Sequence, residues 1–199
     1  NSKRITYSFE VSKDKININF FQNYEFLKNS NYHLESGNKY YLSDALGSAK
    51  YGGEKNNLDY QVRYDPHLKG FKSQSLTYEN SNKLGAVSFT YIDTKKEDNN
   101  LLVDGSETLN YAFGSKKFKK YSQINFSGSQ DLQTDKQKEF SIGYSYYDEC
   151  FGVNLNFGRK KYSDDELKPN DTLTILFSFK HLGSYASTNL AVSETDKQD

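Results

Sequence analysis

Apolar and polar residues alternate along most of this chain. In RITYSFEV, Ile5, Tyr7, Phe9 and Val11 fall on one side of an extended backbone, with Thr6, Ser8 and Glu10 on the other. That period of two marks a strand with one apolar and one wet face. KININFFQNYEF repeats it with Ile16, Ile18 and Phe20, then Tyr24 and Phe26. NLDYQVRY sets Leu58, Tyr60, Val62 and Tyr64 against Asp59, Gln61 and Arg63. Val87, Phe89 and Tyr91 continue the pattern, as do Leu109, Tyr111 and Phe113. Ile124 and Phe126, then Phe140, Ile142, Tyr144 and Tyr146, then Val153, Leu155 and Phe157 follow. Leu173, Ile175, Phe177 and Phe179 close the series.

The alternation predicts about 11 strands. They cover residues 4–11, 15–26, 44–51, 57–64, 71–79, 84–93, 106–113, 119–130, 137–147, 151–162 and 171–181. Short connections fall near 12–14, 52–56, 80–83, 114–118 and 147–150, and longer polar ones at 27–43, 65–70, 94–105, 131–136 and 163–170. Both prolines, Pro66 and Pro169, lie in the longer set, where they remove no ladder hydrogen bond. Strands of about 9–11 residues, with tight turns at one end and long loops at the other, are the pattern of an outer-membrane barrel. The expected fold is therefore all-β, an antiparallel up-and-down transmembrane barrel, with the last strand running toward the short-turn side.

Composition agrees with a sheet that has lipid on one face. Only 35% of the residues are hydrophobic, yet 17 are Tyr and 14 are Phe, and the mean hydropathy is −0.89. A disordered chain would share the low hydropathy but not the aromatics or the alternation. A soluble β-sandwich is the alternative built from similar strands. It does not explain the short–long rhythm of the connections or the Tyr and Phe residues gathered near strand ends. The 26 basic and 26 acidic side chains cancel, so no nucleic-acid partner is implied. No run of about 18 apolar residues predicts a membrane-crossing helix. The first residue is Asn and no Met occurs, from which the chain is expected to be a piece of something longer.

Few residues carry recognisable chemistry. His33, His67 and His181 follow no metal-ligand or triad spacing. Asp164, Asp165 and Glu166 offer hard oxygen ligands without the frame of a cation loop, and they read as a solvated loop. SKKFKK, Ser115 to Lys120, reads as a charged turn that keeps the sheet edge soluble. An anionic lipid head group or a phosphorylated ligand is its functional alternative. YGGE at Tyr51–Glu54 lacks the helix of a phosphate loop and reads as a hairpin turn. No nucleophile, cofactor or nucleotide motif appears, so no enzyme, cofactor or metal is expected. Cys150 is the single cysteine. Either it is a small residue packed at a strand end, or its partner lies outside these residues.

The block YSYYDECFGVNLNFGRKKYSDDELKPNDTLTILFSFKHLG, Tyr144 to Gly183, resembles the end of the LPS-assembly protein LptD family, its alphaproteobacterial form most of all. The likeness lies in a Tyr-x-Asp-Glu-Cys turn containing Tyr147, Asp148 and Glu149, a basic-aromatic GRKKY, a lysine–proline loop and a closing Lys-x-Leu-Gly. Upstream, YLSDALGSAKYGGEKNNLDYQVRYD and DGSETLNYAF are similar in style.

The resemblance implies that residues 1–185 are the C-terminal part of a large outer-membrane barrel of a Gram-negative bacterium. Residues 186–199 would be a polar, disordered tail. It implies a translocon that inserts lipopolysaccharide into the outer leaflet. Partners would be an LptE-like lipoprotein plug, an LptA-like periplasmic bridge reached through an N-terminal domain absent here, and the barrel assembly machinery. Cys150 would form a disulfide to that N-terminal domain; family members often carry two adjacent cysteines where this chain has Glu149 and Cys150. Leu173, Ile175, Phe177 and Phe179 would lie on the last strand, beside a lateral gate. A passive porin for small solutes is the alternative function.

Overall fold

The structure, a computed structural model, describes residues 3–27, 40–118, 121–161 and 170–180, together with the backbone of 183–191. Its strands are β1 (Arg4–Lys13), β2 (Ile16–Glu25), β3 (Ala45–Gly52), β4 (Asn56–Asp65), β5 (Gly70–Ser81) and β6 (Gly85–Asp98). They continue as β7 (Leu101–Ser115), β8 (Ser122–Asp131), β9 (Lys136–Tyr147), β10 (Phe151–Lys160), β11 (Asn170–Phe179) and β12 (Gly183–Ala191). Each strand neighbours the next in sequence, giving one 12-stranded antiparallel up-and-down sheet. In that order β1 and β12 each have one neighbour, so the sheet is not closed among the described residues. The chain forms two compact units, Asn1–Asn80 with Phe89–Thr108, and Ser81–Ser88 with Leu109–Asp199.

Register carries the alternation from strand to strand. In the first unit the pairs Val11↔Ile18, Ile18↔Ala49, Ala49↔Tyr60 and Tyr60↔Leu76 run an apolar row across β1 to β5. The row beside it, Glu10↔Asn19, Asn19↔Ser48, Ser48↔Gln61 and Gln61↔Ser75, is polar throughout. In the second unit Phe126, Ile142, Phe157 and Leu173 pair in sequence across β8 to β11. Asn125, Gly143, Asn156 and Thr174 do the same on the other face. A one-residue slip would exchange the faces completely.

The burial pattern is the inverse of a water-soluble domain. No hydrophobic residue is buried among the described residues, whereas Gln22, Asn23, Glu25, Ser43, Asp44, Asp65, Ser122 and Ser129 are. Ile5 and Phe9 stand 55% and 62% exposed on the apolar face. Gln22, an intruder on that face, accepts a hydrogen bond from the Tyr7 hydroxyl and donates one to the Ser43 carbonyl. Apolar outside and polar where packed is the arrangement lipid favours, because apolar surface then stays out of water.

Two hairpins share one local device. In DPHLKGFK and DLQTDKQK, a strand-ending aspartate accepts two turn amides through Oδ1. Asp65 takes those of His67 and Leu68 at 2.8 and 3.1 Å, and Asp131 those of Gln133 and Thr134 at 3.0 and 3.2 Å. Each four-residue turn closes on a left-handed residue, Lys69 or Asp135, both with φ of 52°. A register shift then follows on each returning strand, leaving Lys72 and Lys138 as the extra residues. Such a bulge re-aims a side chain. Lys72 Nζ reaches Asp65 Oδ2 at 2.6 Å, and Lys138 Nζ reaches Asp131 Oδ2 at 3.3 Å.

The elements differ from the sequence reading in five places. Residues 94–105 are not a loop: β6 and β7 extend through them to a two-residue turn, Asn99–Asn100, at φ of 48° and 60°. Positive φ at both central positions suits the twist of a hairpin. The connections at 65–70 and 131–136 are likewise tight turns; most of the expected loops 27–43 and 163–170 lies outside the described residues. β8 starts at Ser122, three residues later than expected. A twelfth strand takes in residues 183–191, including the first six of the expected tail. Because Thr172 pairs with Ala191, β12 returns to the long-connection end, and the last strand does not run toward the short turns. His33, Lys119, Lys120, Asp164, Asp165, Glu166, Pro169, His181 and residues 192–199 lie outside the described residues.

Candidate functional site

The cysteine turn is built from the second unit. β9 ends at Tyr147 and β10 starts at Phe151, leaving Asp148, Glu149 and Cys150 at the tip. Asp148 organises the tip: its Oδ1 accepts the amides of Cys150 and Phe151 at 2.9 and 2.8 Å, and its Oδ2 the Tyr146 hydroxyl at 3.0 Å. Those donors, the Cys150 amide first, hold the Asp148 carboxyl below its usual range. Cys150 is exposed and its sulfur is free.

The same turn abuts β11. The Cys150 carbonyl accepts the Lys180 amide at 3.1 Å, and Phe151 pairs with Phe179. The Phe151 ring lies 5.3 Å from that of Phe179 and 6.2 Å from that of Phe177. The turn thus meets Phe177 and Phe179 through Phe151 alone; Tyr147 pairs with Gly152, whose other neighbour is Ser178, and so takes the opposite face. Leu173 and Ile175 lie farther along β11, opposite Phe157 and Leu155. These four apolar residues are not on the last strand, however. β11 has β10 on one side and β12 on the other, so the strand at that edge of the sheet is β12. The Ser, Thr and Ala residues of β12 hide it from a search for apolar alternation.

An ionic cluster in the first unit escaped the sequence reading. Lys72 Nζ lies 2.6 Å from Asp65, 3.6 Å from Asp44 and 4.0 Å from Glu97, while Arg63 Nε lies 2.6 Å from Asp44. Asp44 is 5% exposed and Asp65 1%, so Lys72 and Arg63 balance these two buried carboxylates, while the more exposed Glu97 leaves the cluster one negative charge in excess. His67 closes the same end, with its Nε2 2.9 Å from the Leu42 carbonyl and its ring 4.0 Å from that of Tyr40. The available signal was the repeated Asp-x6-Lys spacing of 65–72 and 131–138. Beside the cluster, a hollow of about 500 Å³ is lined by Asn19, Gln61 and Arg63 together with Phe21, Leu46 and Ile92. Among the described residues, no three of His, Cys, Asp or Glu are placed to hold a metal.

The chain matches no protein-family model, and no curated protein matches it.

Proposed function

We propose that this chain is part of the barrel wall of an outer-membrane translocon that delivers lipopolysaccharide to the outer leaflet. The observation that carries the reading is the block Tyr144–Gly183. Its resemblance to the LptD family in sequence coincides with one contiguous stretch of sheet, β9–β10–β11, in which the cysteine turn is tied to the end of β11 through the Cys150 carbonyl and the Lys180 amide. The inverted burial supports a lipid-facing surface, and the polar rows on the other face give a glycolipid head group a wet path. An uncovered sheet edge in hydrocarbon costs several kcal/mol per unsatisfied backbone group, which favours further strands closing the barrel. Cys150 then serves as the anchor for a disulfide to a periplasmic domain, its open thiol set on a rigid turn.

The test uses the full-length parent protein in its native outer membrane, with and without Cys150→Ser. A gel shift on reduction that disappears in the variant is expected. Identical mobility in all four lanes would refute the covalent tie and leave a barrel of the passive-channel type.

A further inference from the structure

We infer that the rim made by the β5–β6 and β7–β8 turns binds the head groups of anionic phospholipids; the inference rests on the reading that these strands cross a bilayer. Both turns belong to the second unit and are joined. Asn82 Oδ1 accepts the amides of Leu84 and Gly85 at 2.8 and 3.2 Å, fixing the first tip. The Lys116 amide donates to the Leu84 carbonyl at 2.8 Å, tying the second turn to it. Phe118 and Ser122 exchange backbone hydrogen bonds in both directions, at 2.8 and 3.1 Å.

The rim therefore presents Lys83, Lys116 and Lys117 with Leu84 and Phe118. Leu84 is 80% exposed, the highest value of any large hydrophobic residue among those described, and Phe118 is 38% exposed. None of these three lysines has an ion pair among the described residues, and no acidic residue occurs in 80–92 or 108–130. The acids of the nearby β9–β10 turn are Asp148 and Glu149, and the Asp148 carboxylate is already taken up by Cys150, Phe151 and Tyr146.

Charge alone would suit any phosphate. The apolar residues decide between sources. A free anion leaves Leu84 and Phe118 in water, whereas a phospholipid surface takes apolar side chains into the acyl boundary with amines at the phosphate level. A lysine near an anionic membrane surface contributes about a fivefold preference. Three together make the rim selective for anionic over zwitterionic lipid.

These 199 residues contain no Trp, so in the parent protein, with any Trp elsewhere replaced by Phe, Phe118→Trp supplies a single emitter, with Leu84→Trp as a second reporter. The protein is folded into phosphatidylcholine vesicles holding a minority of phosphatidylglycerol, with bromine on the acyl chains of one lipid or the other. At equal mole fraction, brominated phosphatidylglycerol should quench several-fold more than brominated phosphatidylcholine. Replacing Lys83, Lys116 and Lys117 by Gln should bring the two to parity. Equal quenching in the parent chain would overturn the lipid preference and leave the bilayer reading intact. Quenching by neither, with the strand circular dichroism unchanged, would overturn both. Full loss of the preference on adding inorganic phosphate, at an ionic strength matched by chloride, would assign the rim to the free ion instead.

Discussion

Leu155 and Asn156 are neighbours on β10 that face opposite ways, and replacing each by Arg separates a lipid-facing sheet from a soluble one. Leu155 pairs with Tyr144 and Ile175, and Asn156 with Gly143 and Thr174. β10 spans Phe151–Lys160, which places Leu155 roughly 13 Å from one end and 17 Å from the other at about 3.3 Å per residue. It therefore lies near mid-depth of an apolar band about 25 Å tall. There an outward Arg costs about 2–4 kcal/mol, against about 0–1 kcal/mol near an interface. Leu155→Arg should lower the folding constant by roughly 30- to 1,000-fold, since each 1.4 kcal/mol is about a factor of ten. Asn156→Arg, on the wet face, should stay within about 0.5 kcal/mol, as ordinary solvated substitutions do. Urea titrations of protein folded into phospholipid vesicles, followed by strand circular dichroism, read both. If Leu155→Arg is neutral and Asn156→Arg is the costly change, the assignment of faces is refuted.

Burial distinguishes the two bulge lysines. Lys72→Met strands the buried Asp65 without its cation, Asp44 keeping Arg63, and should cost about 3–5 kcal/mol, whereas Lys138→Met, in a more exposed pair, should cost within about 1 kcal/mol; equal losses in denaturant titrations would contradict this. A Cβ on Gly85 would sit 2.2 Å from the Gly114 carbonyl oxygen, while one on Gly114 meets nothing within 4 Å. Gly85→Ala should therefore destabilise by about 1–3 kcal/mol and Gly114→Ala should be tolerated, the reverse order in melting temperature being the contrary result. The Asp148 carboxyl is held below 3.8 in the folded turn. The stability it adds is complete above its ordinary pKa and is lost as pH falls through the lowered one. The Cys150 and Phe151 amide shifts should titrate together below that value; a midpoint above it would exclude the capping role.

Strand content was legible because one face of each strand must be apolar wherever it meets lipid. Legibility ended where that demand ends. The outer parts of β6 and β7, TKKED and LLVDG, extend beyond the apolar rows, where alternation has no work to do. Asn99 and Asn100 form a hairpin turn there without the glycine that usually announces one. β12, GSYASTNLA, is held by pairing with β11 and offers almost no apolar side. The ionic cluster was hidden because register, shifted by one bulge, brings Lys72 to Asp44 and Glu97 from strands far apart in sequence. The cysteine turn was visible as a motif. Its tie to the end of β11, through the Cys150 carbonyl and the Phe151–Phe179 pair, required the β10–β11 register.

The central claim is that these strands cross an outer membrane with the Cys150 turn on the inner side. Its most direct test is labelling of the parent protein in cells with a membrane-impermeant maleimide after mild reduction. Cys150 should react only once the outer membrane is permeabilised. In a Cys150→Ser background, Thr134→Cys on the opposite β8–β9 turn should react in intact cells. Labelling of Cys150 in intact cells, or of both positions only after permeabilisation, would contradict the claim.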